Sequence, residues 1–286
     1  MAGRVGLIIG GNRGIGSALV QELATRWGPG DCIYLTARDH STAQQVSQQL
    51  TETTGQTIRP LCFDLARPDD PSETARRIAD EHGGIDLVIQ NGAYIARAGH
   101  PAVDDARPMI AANSHGTLRV LTAFLPILRE RGQIIIVASG LGVLTQLPEQ
   151  LRPLFDSRRF SPEAINAQAD RYVAAVEDGS AAAAGWPDWV NVPSKVAQVA
   201  VTRAFARVAR DSGCLPPGAR INAACPGVTL TDATRPYMGT VFREEDAQTP
   251  EVAARELLQM LKPGAMEPAP YGELIQHGKV LNFGDG

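Results

Sequence analysis

Short apolar runs alternate along the chain with longer stretches in which apolar residues recur at helical spacing. The short runs are mostly apolar and rich in β-branched residues, as expected for strands buried on both faces of a parallel sheet. The predicted strands are Val5–Ile9, Cys32–Thr36, Ile58–Phe63, Leu87–Gln90, Gln133–Ala138 and Arg220–Ala224. The predicted helices are Ile15–Trp27, Ser41–Thr53, Ser72–His82, Asp105–Arg131 and Pro193–Ser212.

Strands and helices in alternation, joined by right-handed crossovers, predict an α/β fold. We expect residues 1–286 to form a single Rossmann-type domain. Its core would be a doubly wound parallel sheet of about seven strands with helices on both faces. The sequence contains no internal repeat and no low-complexity linker that would indicate a second domain.

Residues 140–190 interrupt this alternation, because a connection of about fifty residues is far longer than usual. Ser161, Pro162 and Glu163 have the chemistry of a helix start, and Gly179 that of a helix end. We therefore predict a helical insertion, with a helix at about 162–178, before the sixth helix of the fold. Three roles stay open for this insertion: a surface insertion, a lid over a substrate cleft, or a block on an oligomerisation surface.

Composition excludes several classes of partner. The net charge of −4 gives no reason to expect nucleic acid or an anionic membrane. The four cysteines are scattered without metal-ligand spacing, so we expect reduced, mostly buried thiols and no metal site. No apolar segment resembles a signal peptide or reaches transmembrane length, which predicts a soluble cytoplasmic protein whose partner is a small-molecule substrate.

A glycine-rich turn joins the first predicted strand to the first helix. Glycines allow a tight turn and close approach of a phosphate, and the helix N-terminus offers free N–H groups. This context predicts a dinucleotide site. Its residues are Gly10, Asn12, Arg13, Gly14, Ile15 and Gly16.

The end of the second strand indicates which dinucleotide binds. Arg38 stands at the strand tip, where an acidic residue would select NAD, and Arg13 can flank the same position. Two arginines that converge on a 2′-phosphate favour NADP(H) as the cofactor. Asp39 opposes this interpretation, because it could reach the ribose if the strand ended one residue later.

These residues resemble the short-chain dehydrogenase/reductase superfamily, and the resemblance covers nearly the whole chain. Further matches are Asp64-Leu65, Gln90-Asn91-Gly92-Ala93 and Pro226-Gly227-Val228 with Thr231. The resemblance implies that Asp64 and Leu65 lie against the adenine. It also implies that Asn91 and Gly92 line the cofactor, and that residues 226–231 contact the nicotinamide side.

Within the superfamily the chain is most similar to the monomeric carbonyl reductases. The matching segments are Leu35-Thr36-Ala37-Arg38-Asp39, the insertion that ends Gly185-Trp186-Pro187, and Asn222-Ala223-Ala224-Cys225-Pro226-Gly227. This similarity implies NADPH as cofactor and a monomer, and a homodimer stays open.

The same resemblance implies a catalytic Ser139, an active-site Asn113 and a cofactor-binding Lys195. Asn191 stands four residues before Lys195, where the superfamily carries the tyrosine that protonates the substrate oxygen. An amide donates a hydrogen bond but releases no proton, so ordinary ketone reduction should be slow.

Several explanations of Asn191 stay open. The first is that Asn191 is no more than a helix N-cap, with Pro193 in the first turn. Another acid could replace the tyrosine, with Tyr94 the first candidate and His115 and Tyr237 behind it. Alternatively, the substrate is an iminium ion, which accepts hydride without needing a proton.

Three functions follow from these observations. The first is an NADPH-dependent reductase of a carbonyl or imine on a medium-sized apolar molecule. The second is a repurposed biosynthetic cyclase, pericyclase or isomerase in which NADP(H) is largely structural. The third is a non-catalytic NADPH-binding protein.

Overall fold

The computed structural model describes residues 3–261 and 264–285. Its centre is an eight-stranded sheet in the order β3-β2-β1-β4-β5-β6-β7-β8. The first seven strands pair in parallel, and β7 and β8 form an antiparallel hairpin at the edge. The strands are β1 (Val5–Ile9), β2 (Cys32–Ala37), β3 (Ile58–Cys62), β4 (Ile85–Gln90), β5 (Leu128–Val137), β6 (Arg220–Ala224), β7 (Leu274–Gln276) and β8 (Lys279–Leu281).

The predicted Rossmann-type α/β sheet is therefore confirmed, with eight strands and not about seven. Strands of three residues, such as β7 and β8, are too short to show a period in the sequence. Every residue of β1 is buried, as a central parallel strand covered on both faces requires.

Helices cover both faces of the sheet. One face carries α1 (Gly14–Arg26), α2 (His40–Thr54) and α8 (Pro250–Gln259), which share a buried apolar cluster with the strands. The other carries α3 (Asp70–His82), α4 (Ala102–Ile110), α5 (Gly116–Phe124) and α7 (Asn191–Asp211). None of the helices in the described residues is long and apolar enough to cross a membrane.

The prediction of one long helix at Asp105–Arg131 is wrong at the C-terminal end of that range. A π-helical turn at Ala111–His115 joins α4 to α5, and a 3-10 turn at Leu125–Ile127 ends the helical run. Pro126 ends the helix because it has no N–H to donate. Leu128 then pairs with Ile85 on β4, so the predicted fifth strand begins five residues earlier than Gln133.

The insertion contains the predicted helix as α6 (Pro162–Glu177), and the Ser161 hydroxyl accepts a hydrogen bond from Ala164 N at 3.2 Å. Helix α6 packs on α4 and α7 and so adds an outer layer to one face. Its Tyr172 is buried and lies against the Trp186 ring, with centroids 5.0 Å apart. The insertion is therefore built into the core on this side.

The prediction of mostly buried cysteines is wrong in part. Cys225 is buried and Cys32 is half-buried, whereas Cys62 and Cys214 are exposed. All four thiols are free.

Strands β1 and β4 are neighbours at the point where the strand order reverses, since β2 lies on the other side of β1. Ligands of doubly wound sheets bind at the carboxyl ends of the strands at such a point. Asn91 N and Gly92 N both donate to Ile9 O, at 3.0 and 2.7 Å, which fixes the two strand ends together.

Candidate active site

The glycine turn after β1 forms a tight cradle. Gly10 has a φ of +74°, and a Cβ atom there would come within 2.6 Å of Gly92 Cα. A Cβ on Gly16 would come within 2.0 Å of Gly10 O, the oxygen that accepts a hydrogen bond from Asn91 Nδ2 at 3.1 Å. Only glycine fits either position, because the turn packs directly against the Gly92 backbone and against itself.

Other residues shape the same turn. Thr36 on β2 holds it, because its hydroxyl accepts a hydrogen bond from Gly10 N at 3.0 Å. Ile15 packs against the apolar cluster below the turn, and Asn12 is half-buried. Gly14, at φ +52°, lies 3.3 Å from Thr231, measured from its ideal Cβ position to Thr231 Cγ2. The loop that contains Thr231 therefore faces the glycine turn.

Arg13 and Arg38 are exposed beside this turn, and neither makes an ion pair or side-chain hydrogen bond within the described part of the chain. Asp39 is engaged elsewhere: it caps α2 by accepting from Thr42 N at 2.7 Å. That backbone hydrogen bond and the Ser41 hydroxyl lower the pKa of Asp39 to about 2. The carboxylate that could have served an NAD ribose is therefore occupied, while both arginines are free for a phosphate.

Asp64 and Leu65 follow β3 on the same side of the cradle. Asp64 Oδ1 accepts a hydrogen bond from Ala66 N at 2.9 Å, which fixes the turn. Leu65 is buried, and its Cδ1 lies 3.4 Å from the position a Gly92 Cβ would take. Arg119 holds the same segment by donating to Leu65 O at 2.7 Å.

The loop after β6 runs over the cleft from Pro226. Gly227 has a φ of +78°, and Val228 O accepts a hydrogen bond from Gln248 N at 2.9 Å. Gln248 Nε2 also donates to Pro226 O. The same loop brings Thr231 back toward the glycine turn, so it reaches from the end of β6 to the start of α1.

Asn113 is fully buried in the π-helical turn, and its side chain is completely engaged. Its Oδ1 accepts from Tyr94 N, and its Nδ2 donates to Tyr94 O, both at 2.8 Å. The same Nδ2 lies 2.9 Å from Ser194 Oγ, next to Lys195. Asn113 thus fastens the segment after β4 to the start of α7.

Lys195 lies in the second turn of α7 and is buried. Its Nζ donates a hydrogen bond to Gln198 Oε1 at 2.8 Å. Burial lowers the pKa of the ammonium to about 8, and the nearby Cys225 thiol opposes that effect. Cys225 Sγ in turn accepts hydrogen bonds from Gly140 N and Gly227 N, at 3.1 and 3.4 Å. Lys195 therefore lies close to the turn that follows Ser139.

Ser139 lies two residues after the end of β5, where it caps a 3-10 turn at Gly140–Gly142, and it is half-buried. Its Oγ accepts a hydrogen bond from Leu141 N at 3.2 Å, so the hydroxyl hydrogen remains free to donate.

Asn191 is the first residue of α7, but it is not the N-cap. Val190 occupies the cap position, and no side chain caps the helix, so the interpretation of Asn191 as an N-cap is wrong. Asn191 is 6% exposed, and its Nδ2 has no hydrogen-bond partner among the residues described. A buried amide without a partner is costly, which points to a ligand that completes it.

The side chains of the three alternative proton donors all have hydrogen-bond partners within the protein. The Tyr94 hydroxyl donates to Asp105 Oδ1 at 2.8 Å, and burial together with that bond raises the pKa of Tyr94. His115 Nε2 lies 2.8 Å from Asp170 Oδ1 on α6. The Tyr237 hydroxyl donates to Ala96 O, which ties the loop after β6 to the segment after β4.

Sequence reasoning missed two features of this site. Gln198 could have been found, because a residue three positions after Lys195 shares its helix face. An aromatic group of Trp189, Tyr237 and Phe242 has no sequence signal, since two loops bring it together. The Trp189 ring lies 5.7 Å from Tyr237 and 6.4 Å from Phe242 between centroids.

Comparison with known proteins gives consistent matches. The sequence pattern described as short chain dehydrogenase matches residues 4–150. Carbonyl reductase (NADPH) 1 of Bos taurus is 30% identical over 288 residues, which cover 98% of each chain.

Solved structures share the fold. Salutaridine reductase from Papaver somniferum superposes with a TM-score of 0.79 at 19% identity, over 95% of this chain and 99% of that one. A short chain dehydrogenase from Burkholderia cenocepacia in complex with NADP gives a TM-score of 0.65 at 20% identity, over 100% of this chain and 98% of that one.

Proposed function

Because the chain belongs to the short-chain dehydrogenase/reductase superfamily, we propose that it reduces a carbonyl or imine group of a medium-sized, fairly apolar molecule. NADP(H) is the cofactor, consistent with the NADPH-dependent carbonyl reductases and the NADP complex among its relatives. When bound, NADPH supplies the hydride that reaches the electrophilic carbon. The remaining chemistry belongs to the residues of the cleft.

In this proposal, backbone groups and charged side chains hold the cofactor. The glycine turn from Gly10 to Gly16 takes the pyrophosphate, and the free Arg13 and Arg38 take the 2′-phosphate. Lys195 hydrogen-bonds the ribose, and Asp64 and Asn91 border the adenine and nicotinamide sides. This assignment gives each exposed or open group of the cradle a part of the dinucleotide.

The observation that carries the proposal on the substrate side is the unpartnered Nδ2 of Asn191, buried one helical turn before Lys195. With Ser139, it supplies two hydrogen-bond donors to a carbonyl oxygen or a neutral imine nitrogen at the reacting carbon. Neither donor gives up a proton readily, so a ketone would receive hydride here without a positioned acid. An iminium ion accepts no hydrogen bond at its nitrogen but also needs no proton, because hydride addition alone converts it to a neutral amine.

The test is a substrate panel of ketones, quinones and cyclic imines, with NADPH oxidation and product formation measured together. The proposal expects one mole of NADPH oxidised per mole of product, cyclic imines reduced faster than matched ketones, and turnover strongly reduced in Ser139→Ala. A protein that binds NADPH and reduces none of these compounds would contradict it and would support the non-catalytic alternative.

A second function is favoured by the aromatic group of Trp189, Tyr237 and Phe242. Half-buried rings from two loops can hold a flat, apolar molecule in one folded shape, which is what a cyclase or isomerase requires. Under this alternative NADP(H) is structural. Product would then form without net NADPH oxidation, so the stoichiometry in the same panel separates the two functions.

We also propose a cytoplasmic monomer with a small-molecule substrate. Helix α6 covers the outer faces of α4 and α7, a surface that would otherwise be open to another subunit. Sedimentation velocity of the purified protein, with and without NADPH, measures the oligomeric state.

A further inference from the structure

The ammonium of Lys195 is buried without a carboxylate partner. No ion pair involves Lys195 within residues 3–261 and 264–285, and its hydrogen-bond partner there is the Gln198 amide oxygen, 2.8 Å away. A buried charge needs hydrogen bonds to replace the water it has lost. Gln198 is fully buried one turn further along α7 and provides that replacement.

The orientation of the Gln198 amide is fixed by chemistry. An ammonium only donates, so Gln198 must present its oxygen to Lys195 and its nitrogen to the other side. That nitrogen lies 3.4 Å from Thr117 Oγ1 on α5. Thr117 donates its own hydrogen to Asn113 O at 2.7 Å, so its oxygen is free to accept.

A fourth residue completes this buried group. Gln90 Nε2, at the end of β4, also donates to Thr117 Oγ1, at 2.8 Å. All four side chains are buried, and the group links α7 to α5 and to the strand that leads into the Asn91 turn. The position of Lys195 is thereby set from the protein interior.

We propose that Gln198 is the positioning residue for Lys195: it holds the ammonium charged and in place, and Thr117 holds Gln198. The inference deepens the proposed function, on which it rests for the contact of Lys195 with the cofactor. Gln198 itself touches neither substrate nor cofactor.

Few other charges act on Lys195. At the end of β6, the Cys225 thiol faces it, and burial raises the pKa of that thiol. Asp105 and Arg107 of α4 and Asp170 and Glu177 of α6 lie in ion pairs, whereas Asp104, Glu163 and Arg171 are exposed on those helices. These pairs are Arg97 with Asp105, Arg107 with Glu177, and His115 with Asp170. The charge state of Lys195 should therefore respond mainly to a change at Gln198.

The chain contains three lysines, Lys195, Lys262 and Lys279, so lysine labelled with ¹³C at Cε gives three signals. Lys195→Arg identifies the Lys195 signal by its loss. The titration of that signal is followed in the cofactor-free protein, and a midpoint near pH 8 is expected.

Two variants should move the midpoint in opposite directions. Gln198→Met removes the acceptor and keeps the volume, so the acid dissociation constant of Lys195 should rise on the order of tenfold. Gln198→Glu places a carboxylate beside the ammonium and should lower that constant. Thr117→Val should act as Gln198→Met does, but more weakly, because Thr117 acts through Gln198.

The matched control is Thr202→Val, which removes another buried hydroxyl of α7 that bonds only the Gln198 backbone oxygen, at 2.8 Å. It should leave the Lys195 midpoint unchanged. If Gln198 had only a structural role, Gln198→Met and Gln198→Glu would not shift the Lys195 midpoint in opposite directions. Equal midpoints in Gln198→Met and Gln198→Glu, or shifts of the same sign, would overturn the proposal. If Gln198→Met does not fold, Gln198→Glu against Thr202→Val decides the question alone.

A second measurement separates this inference from the proposed function. NADPH affinity is measured against pH in the same proteins, and its midpoint should follow that of the Lys195 signal. Opposite shifts in the Lys195 signal support the role of Gln198 whether or not affinity follows. Affinity that does not follow contradicts the proposed contact between Lys195 and the cofactor, not the positioning by Gln198.

Discussion

The hydroxyl of Tyr94 donates its hydrogen to Asp105 Oδ1, 2.8 Å away, at the mouth of the cleft. Asp105 is 1% exposed and is also held by Arg97 N and the Arg97 guanidinium. Burial would raise the pKa of this carboxyl, but the three hydrogen bonds lower it overall. The Tyr94 phenol therefore supports a carboxylate, and its own pKa is raised.

Tyr94→Phe should consequently change catalysis little. We expect kcat on the best substrate to stay within about threefold, and stability to fall by about 1 kcal/mol because Asp105 loses one donor. Steady-state kinetics and urea unfolding measure the two effects. A loss of 10²-fold or more in kcat, the range of general acid catalysis, would identify Tyr94 as the proton donor.

Asn191→Tyr should add a proton donor to the site. Ketone reduction is expected to rise on the order of 10²- to 10⁴-fold, which is the usual contribution of a positioned acid. Iminium reduction should rise far less, since that reaction takes up no proton. Rates on a matched ketone and imine, measured with the same protein preparation, make the comparison.

The control for that experiment is Asn191→Leu, which keeps the branched shape of the side chain and removes the unpartnered amide. Without ligand it should be more stable than the natural chain by about 1 kcal/mol, because a buried unsatisfied group is gone. Its substrate affinity should fall. Lower stability in the Leu variant would show that the Asn191 amide has a partner in the free protein.

Arg38→Ala should weaken NADPH binding selectively. Loss of a charged hydrogen bond to the 2′-phosphate should raise the NADPH dissociation constant on the order of tenfold or more and leave that for NADH nearly unchanged. Fluorescence titration with both nucleotides measures the ratio. Arg171→Ala, at an exposed position on α6, is the control. Equal weakening for both nucleotides would place Arg38 outside the 2′-phosphate site.

Lys195 should make stability depend on pH. Its pKa is about 8 in the folded chain against 10.5 for a free lysine, so between these values the unfolded chain binds the extra proton. The free energy of unfolding should then rise with pH from about 8 to 10.5, by on the order of 3 kcal/mol from this residue. Below pH 8 the cost of the buried ammonium is fully present.

Lys195→Met should lack this rise, and Lys279→Met, at an exposed lysine, should retain it. Urea unfolding of the three proteins across this pH range gives the comparison, since the other titrating groups are common to all of them. Parallel curves for the natural chain and Lys195→Met would show that the lysine titrates normally.

The sequence by itself determined the parallel sheet, because strands buried on both faces must be apolar however their side chains pack. It determined the glycine turn, since closely spaced glycines stand between a strand and a helix at residues 10–16. It also determined the start of α6, where Ser161 caps through a local hydrogen bond. Each of these depends on residues close together in the chain.

Only the tertiary structure decided the features that join distant segments. Pairing of Leu128 with Ile85 turned the predicted end of a helix into the start of β5. The Tyr94 hydroxyl has Asp105 as its partner, and the His115 ring has Asp170. A hydrogen-bond partner is a matter of three-dimensional distance, and no spacing in the sequence encodes it when the partners lie on different elements. For that reason the sequence predicted the residue types of the site. It did not predict which of their polar groups have hydrogen-bond partners within the protein.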